Sequence, residues 1–240
     1  ITWIKEEAPM ELSKRLYAVA SLVTEGASVA DVGTDHGYIP IYLMQNEIAS
    51  KAIAMDINGG PLERARMHIV GHGLKGKIET RLSNGLEALA PGEVDTMIAA
   101  GMGGGLIIRI LEEGMEVVKS LKACILQPQS EVWKVRKYLL DHHMDIIDED
   151  MVEEDGKYYP MMRVIHGESP RYAECEYIFG KRLLEKKNPV LEKFLHRELD
   201  IREGIFKELD HHVGSERARY RMEEVRREIM IISRALGYFC

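Results

Sequence analysis

The sequence is short of cysteine, aromatic residues and long apolar runs, and each shortage excludes a class of protein. The three cysteines, Cys124, Cys175 and Cys240, are odd in number and far apart, which argues against a disulfide framework and a paired-cysteine metal site. No apolar run approaches the roughly 18 residues of a membrane span, and the first residues carry acids where a secretory signal is basic. We therefore expect a cytoplasmic protein with no membrane partner and no metal.

Positive charge is also scarce in most of the chain. The 32 Lys and Arg residues against 39 Asp and Glu give a net charge of -7, which by itself argues against a nucleic-acid partner. Residues 1–165 carry 17 basic and 25 acidic side chains, whereas residues 166–240 carry 15 and 14. Any contact with a polyanion is therefore expected in the C-terminal part, although charged helices are more often merely solvated.

What the sequence does contain is a regular series of short β-branched or apolar runs. They are Ser28–Val32, Ala52–Asp56, Ile78–Leu82, Val94–Ala99 and Cys124–Gln127. Several of the stretches between and after them, such as residues 62–70, 106–118 and 132–140, have helical periodicity and few helix breakers. The alternation predicts a parallel sheet whose strands are joined by crossover helices.

After residue 142 the pattern changes to two strand-like segments, Asp145–Val152 and Tyr158–His166, joined by the turn Glu153–Lys157. These segments predict an antiparallel hairpin. A parallel sheet that ends in a hairpin resembles the class I S-adenosylmethionine-dependent methyltransferases, in which the seventh strand inserts between the fifth and the sixth. The expected fold class is therefore α/β, with a Rossmann-like methyltransferase sheet.

The C-terminal part has a different composition, rich in charged helix formers. Apolar residues repeat there at alternating spacings of three and four, as in a coiled-coil seam: Ala218, Met222, Val225, Ile229, Ile232 and Leu236. Leu195 to Val213 have a similar register, and His212–Ser215 fit a reversal. We predict a methyltransferase domain over residues 1–166 and an antiparallel helical coiled-coil arm over residues 167–240, with a packing or dimerisation appendage as the alternative.

The stretch from Val29 to Tyr38 combines a predicted strand, a glycine turn and the start of a helix. Such a turn lets a ligand approach the main chain at Gly33, where the strand's carboxyl end and helix amides meet it. Asp35 stands where a dinucleotide fingerprint has its second glycine, and a pyrophosphate would be repelled there. A ligand with a sulfonium and an ammonium group would not be repelled, and Asp31 at the end of the strand adds a second acid.

The next two predicted strands end in further candidates for donor contacts. Asp56, 23 residues after Gly33, is near the offset at which an acid accepts hydrogen bonds from ribose hydroxyls, and Ile57 follows it. Asn84 and Gly85 follow the third strand, where a side-chain amide and backbone amides suit an adenine. Each motif is weak alone, but the three occur in the right order at successive strand ends.

The fourth predicted strand is followed by a turn with almost no side-chain volume, which contains Gly101, Met102 and Gly103. Such a turn provides space in which a planar base can approach a methyl group. The alternative is a glycine-rich helix start without a ligand. Arg15, in a predicted N-terminal helix, is a candidate partner for the donor's carboxylate or an ordinary surface charge.

Together these residues resemble the bacterial tRNA (adenine-22-N1)-methyltransferase family. The resemblance rests on DVGTDHGYIP, AGMGGGLI, ILQPQ and EEDGKYYPM, with LSKRL upstream, and extends from about Leu12 to Leu236. It implies S-adenosylmethionine as cofactor, a C-terminal coiled-coil arm, and methyl transfer to nitrogen 1 of an adenine in the D-arm region of tRNA. Asn84 stands where many class I enzymes carry Asp, and Gln129 stands where the family often has Asn.

Five residues are candidates for contact with the reacting base. Asp35 is expected to stabilise the charge that develops on the methylated adenine, or else to cap the following helix. His36 and Tyr38 contact the donor or stack on the base, or serve in packing. Gln127 and Tyr159 are placed to hold a flipped adenine by its edge or face.

The sequence thus predicts a tRNA methyltransferase, as a monomer or weak homodimer, and two alternatives stay open. One is a methyltransferase-like RNA-binding module without transfer activity. The other is a small-molecule or protein methyltransferase whose helical arm mediates oligomerisation.

Overall fold

The computed structural model describes residues 9–210 and 216–240, and its contacts divide the chain into two units, Ile1–Ser169 and Pro170–Cys240. Within the described residues, the first contains the sheet, and the regular elements of the second are helices. The boundary that the sequence predicts between the two functional domains, after residue 166, stays a prediction. No helix within the described ranges is both long and apolar enough to cross a bilayer.

The first unit is built on one sheet of seven strands. They are β1 (Ala27–Val32), β2 (Ala49–Asp56), β3 (Ile78–Leu82), β4 (Thr96–Gly103), β5 (Ala123–Ser130), β6 (Met144–Glu154) and β7 (Lys157–His166). Their order is β3-β2-β1-β4-β5-β7-β6, with the first five parallel and β7 antiparallel to both neighbours. The predicted Rossmann-like fold, with its seventh strand between the fifth and sixth, is confirmed.

Helices cover both faces of this sheet in the first unit. They are α1 (Lys14–Ser21), α2 (Tyr38–Gln45), α3 (Gly59–Gly71), α4 (Gly104–Glu113), α5 (Met115–Val118) and α6 (Val132–Asp141). Alternating strand residues enter two separate apolar clusters: Met97 packs in the cluster with α4 and α6, and Ile98 packs in the cluster with α1 and α2. Burial on both faces is why the central strands read as continuous apolar runs rather than alternating ones.

The single helix predicted over residues 106–118 is in fact two helices, α4 and α5, separated at Gly114. A Cβ atom on Gly114 would lie 2.6 Å from Cδ1 of Leu86, so the chain approaches that side chain too closely for any larger residue. The chain at the helix break therefore packs against Leu86, in the segment that follows β3.

The glycine run after the fourth strand also differs from its prediction as a turn. Strand β4 continues through Gly103, with irregular pairing to β5 on both sides of Met102, and α4 begins directly at Gly104. A Cβ atom on Gly104 would lie 2.6 Å from the carbonyl oxygen of Ser130. Part of the run therefore serves the close packing of α4 against the end of β5.

The predicted hairpin is present as β6 and β7, and both strands extend farther than expected. The two residues between them, Asp155 and Gly156, have φ angles of 51° and 71°. Positive φ at both positions is typical of the two-residue turn that matches the twist of an antiparallel pair.

The second unit contains α7 (Glu174–Phe179), α8 (Lys181–Glu185), α9 (Pro189–Asp210) and α10 (Glu216–Leu236). Arg202 pairs with Glu228 at 2.5 Å, and Arg226 lies over the ring of Phe206, so α9 and α10 run antiparallel. Val225 and Ile232 of the predicted seam are buried. The antiparallel helical hairpin is confirmed, whereas the predicted reversal at His212–Ser215 lies outside the described residues.

Candidate functional site

A cavity of about 300 Å³ opens at the carboxyl ends of β1 and β4. Its walls come from α1, from the turn between β1 and α2, from the end of β4 and from Gln129 on β5. Seven residues that the sequence predicts as site residues line it: Arg15, Asp31, Gly33, Asp35, His36, Tyr38 and Gly101. This edge is where open α/β sheets bind their ligands.

Asp31 provides negative charge at the base of this cavity. Its side chain is buried. Desolvation of the carboxylate and the nearby charge of Asp56 both raise the pKa of Asp31, which is about 7. The ionised form of Asp31 is therefore disfavoured in the folded protein. A cationic ligand would stabilise the charged form of Asp31. It would thereby offset both the cost of desolvation and the repulsion from Asp56.

The glycine turn after β1 is tightly fixed. The amides of Gly33 and Thr34 both donate to the carbonyl of Met55, at 2.8 and 2.9 Å, and Gly33 has a φ of +74°. A Cβ atom on Gly33 would lie 2.2 Å from Cε of Met102. Met102 is thus placed beside the turn, although neither it nor Gly103 lines the cavity.

Helix α3 supports this turn with three residues on one face, Arg64, Ala65 and His68, which we call the α3 brace. Arg64 donates to Oδ1 of Asp35 at 2.5 Å, and Ala65 lies 3.4 Å from where a Cβ atom of Gly37 would be. The alternative in which Asp35 caps α2 is wrong, because the N-cap is Gly37 and no side chain caps the helix. Asp35 is instead exposed at the cavity and oriented by an arginine.

Three aromatic rings lie nearly parallel beside Asp35. The centroids of His36 and Tyr38 are 5.0 Å apart, and His68 of the brace stacks on both rings at 5.3 and 5.4 Å. Nδ1 of His68 also lies 3.1 Å from the carbonyl of His36, which requires a proton on that nitrogen. The rings of His36 and Tyr38, which line the cavity, are therefore held in an ordered stack with His68.

Gln127 and Tyr159 meet at Arg15. Oε1 of Gln127 accepts hydrogen bonds from Nη1 of Arg15 and from the amide of Gly101, both at 3.0 Å. The Arg15 guanidinium lies over the ring of Tyr159, 5.5 Å from its centroid. Gln127 is fully buried, so in this structure its side chain contacts protein groups.

The residues predicted for the ribose and the adenine do not line this cavity. Oδ1 of Asp56 accepts the amide of Asn58 at 2.7 Å, and the next residue, Ile57, is 59% exposed. Asn84, whose side chain donates to Glu87, and Gly85 line a second cavity of about 230 Å³. The roles of these four residues stay predictions.

Sequence reasoning missed the α3 brace. Arg64 and His68 are four positions apart and therefore share a helix face. That helix begins just after the strand carrying Asp56, so the face with Arg64 and His68 lies near the turn after β1. The four-residue spacing of Arg64 and His68 is therefore the signal that the sequence offered. Within the described residues no group of histidine, cysteine or acidic side chains is arranged to hold a metal ion.

The chain is similar in sequence to known methyltransferases. A family model described as a methyltransferase domain matches residues 12–162. The tRNA (adenine(22)-N(1))-methyltransferase of Bacillus subtilis is 32% identical over 234 residues, covering 95% of this chain and 98% of that protein.

Solved structures extend the likeness to ligand complexes. Sp1610 of Streptococcus pneumoniae, in complex with S-adenosyl-L-methionine, is 35% identical with a TM-score of 0.83, covering 94% of this chain and 100% of that one. Mycoplasma capricolum TrmK, in complex with S-adenosyl-homocysteine, is 29% identical with a TM-score of 0.80, covering 95% and 98%.

Proposed function

The chain belongs to the tRNA (adenine(22)-N(1))-methyltransferase family, and we propose that it transfers a methyl group from S-adenosylmethionine to nitrogen 1 of adenine 22 in tRNA. The observation that carries this proposal is the cavity at the ends of β1 and β4, which has Asp31 and Arg15 in its wall. A donor with a cationic sulfur, an ammonium and a carboxylate matches those two charges.

The residues present fit this donor. Asp31 and Asp35 supply negative charge for its cationic groups, while Gly33 brings the main chain to the cavity wall. Arg15 supplies a positive charge for its carboxylate. Asp56, Ile57, Asn84 and Gly85 extend from the ends of β2 and β3 and would hold the ribose and adenine.

S-adenosylmethionine, when bound, supplies an electrophilic methyl group. Nitrogen 1 of adenine has a free lone pair at neutral pH, so the chain does not have to remove a proton before attack. Its contribution is to align the base with the methyl group, which is worth up to about 7 to 11 kcal/mol in favourable cases.

Two features of the cavity wall contribute to the transfer, one by aligning the base and one by stabilising its charge. The parallel rings of His36 and Tyr38 offer a face on which the base can stack. Asp35, oriented by Arg64, offers a carboxylate that stabilises the positive charge of the methylated adenine.

A folded RNA requires a larger contact than the cavity provides. Arg217, Arg219 and Arg226 of α10 are exposed and supply positive charge for phosphates. A tRNA substrate also favours the cytoplasmic location that the sequence predicts. The oligomeric state, predicted as a monomer or weak homodimer, stays a prediction.

The test is label transfer from methyl-labelled S-adenosylmethionine to a tRNA transcript, followed by mapping of the modified position by reverse-transcription stops. We expect N1-methyladenine at position 22 and no label in a transcript with guanine there. The Asp31→Asn variant should lose transfer, whereas Asp141→Asn, the same change at an exposed position on α6, should retain it. Donor binding without label transfer would favour an RNA-binding module and contradict the proposal.

A further inference from the structure

Gln127 has every polar group of its side chain in use, although it lies next to the cavity. Its Oε1 atom accepts from Arg15 and from Gly101, and its Nε2 atom donates to the carbonyl of Pro128 at 3.2 Å. Two donors that converge on one oxygen fix the orientation of the amide. Since Gln127 is 0% exposed, it acts on a ligand only through the groups it holds.

The guanidinium of Arg15 forms no ion pair within the described residues, and the Glu154 carboxylate accepts a hydrogen bond from the backbone amide of Arg15 at 3.4 Å. Its guanidinium contacts the neutral amide oxygen of Gln127 and the face of the Tyr159 ring. Within residues 9–210 and 216–240 no carboxylate lies within ion-pair distance of it, whereas most other arginines of the first unit pair with acids. A cation held by neutral groups at a cavity wall stays available to an anionic ligand.

The opposite charge belongs to Asp31 in the same cavity. The cavity therefore has a cationic and an anionic wall, and a zwitterion can satisfy both. The amino-acid end of S-adenosylmethionine is such a group, with its carboxylate matched to Arg15 and its ammonium to Asp31. A glutamate at position 127 would instead pair with Arg15 internally and remove its attraction for a carboxylate.

We propose that Gln127 is a positioning residue, which holds Arg15 in the cavity wall as a cation with no ion pair among the described residues and thereby sets the recognition of the donor's carboxylate. This inference rests on the proposed function, because it concerns the methyl donor. It is an alternative to the expectation that Gln127 holds the edge of the target adenine, which stays a prediction.

The experiment compares the binding of two ligands by calorimetry. S-adenosylhomocysteine retains the carboxylate, and S-adenosyl-3-thiopropylamine is the same molecule without it. For the unaltered protein we expect S-adenosylhomocysteine to bind about tenfold to a hundredfold more tightly, as for one charge-assisted hydrogen bond. For Arg15→Met the two affinities should be equal.

The decisive variant is Gln127→Glu. We expect its preference for S-adenosylhomocysteine over the ligand without a carboxylate to fall toward that of Arg15→Met. Because Gln127 acts through Arg15, adding Gln127→Glu to Arg15→Met should not lower the preference for S-adenosylhomocysteine any further than Arg15→Met does alone. Gln45→Glu, whose Oε1 atom can still accept from the amide of Met10, is the matched control and should keep the full preference. If Gln127→Glu does not fold in a thermal melt, Gln127→Asn takes its place, since its shorter amide cannot reach both donors.

The outcomes separate this inference from the proposed function. Absence of S-adenosylhomocysteine binding to the unaltered protein would contradict the proposed function itself. Equal binding of both ligands would leave that function standing and overturn the carboxylate subsite. An unchanged preference in a folded Gln127→Glu variant would overturn the role of Gln127.

Discussion

Ionisation of Asp31 costs the folded protein free energy, because burial raises the pKa of this carboxyl from 3.8 to about 7. An acid whose pKa is higher in the folded than in the unfolded state destabilises the fold where the unfolded chain is already ionised. The cost is absent below about pH 4, grows as the pH rises, and is complete above about pH 7. The same charge is what the proposed donor requires.

We therefore expect Asp31→Asn to stabilise the protein at pH 8 relative to its effect at pH 4, where only the cost of an imperfectly bonded amide remains. The gain has an upper limit of about 4 kcal/mol, from a shift of roughly three pKa units, less the cost of an imperfectly bonded amide. Urea unfolding at both pH values measures it, with Asp141→Asn as the exposed control. Equal effects at the two pH values would show that Asp31 does not titrate in this range.

The pKa of Asp31 also predicts how donor affinity depends on pH. Because the donor's cationic groups need the ionised acid, the dissociation constant should rise about tenfold between pH 8 and pH 6. Calorimetric titration of S-adenosylmethionine checks this, and comparison with Asp31→Asn cancels the titration of the ligand's own amine. An equally steep dependence in the variant would assign the effect to another group.

Gly33 has a positive φ and lies in close contact with Met102. The effect of its backbone conformation on stability can be separated from its effect on donor binding. We expect Gly33→Ala to lose about 1 to 2 kcal/mol of stability from its left-handed backbone and to weaken donor binding as well. Gly76→Ala is the matched control, since Gly76 has a φ of +83° and open space around it. It should lose similar stability in chemical unfolding and bind the donor normally; weakened donor binding in both variants would contradict this account.

At the level of elements, the α3 brace joins the helix that follows the second strand to the turn that follows the first. Arg64, Ala65 and His68 contact Asp35, Gly37 and His36 respectively. The turn is therefore held by packing and hydrogen bonds from outside its own segment. Loss of the exposed Arg64–Asp35 pair should therefore affect the rate of methyl transfer more than the stability.

We expect Arg64→Gln to lower kcat by about tenfold, because Asp35 loses the partner that orients it. Stability should change by less than about 1 kcal/mol, since the ion pair is largely exposed. Arg66→Gln, which removes an arginine two positions away on the same helix, is the control. The comparison uses steady-state transfer to tRNA, and equal kcat values for both variants would exclude the brace from catalysis.

At the level of the whole molecule, the two units allow donor binding and RNA binding to be tested separately. The donor cavity is lined entirely by residues of Ile1–Ser169, and the α9–α10 hairpin belongs to Pro170–Cys240. The charges of the two parts also differ, since the chain before residue 166 is acidic and the rest is nearly neutral. A polyanion is thus expected to contact the second unit.

Replacing Arg217, Arg219 and Arg226 with Glu should weaken tRNA binding and lower its salt dependence, by about 0.9 or less in the logarithmic slope for each phosphate that the variant no longer binds. Affinity for S-adenosylmethionine should not change. Filter binding over a range of salt concentrations measures the slope. Lys119→Glu, an exposed reversal in the first unit, serves as control, and tRNA binding unchanged by the triple reversal would exclude this face.

The sequence by itself determined the fold class, the strand-end positions of the donor candidates and the antiparallel arm. These follow from short-range properties: apolar periodicity, glycine turns and the length of connecting helices. Asp31, Gly33 and Gly101 could be identified because each belongs to a strand end that the local pattern already marks.

Only the tertiary structure decided which side chains act together. Arg64 and Asp35 are 29 positions apart, His68 and His36 are 32 apart, and Gln127 and Arg15 are 112 apart. The break at Gly114 and the packing role of Gly104 likewise depend on Leu86 and Ser130, which lie far along the chain. Local patterns carry no record of such contacts, because they form only when the sheet brings distant segments to one edge.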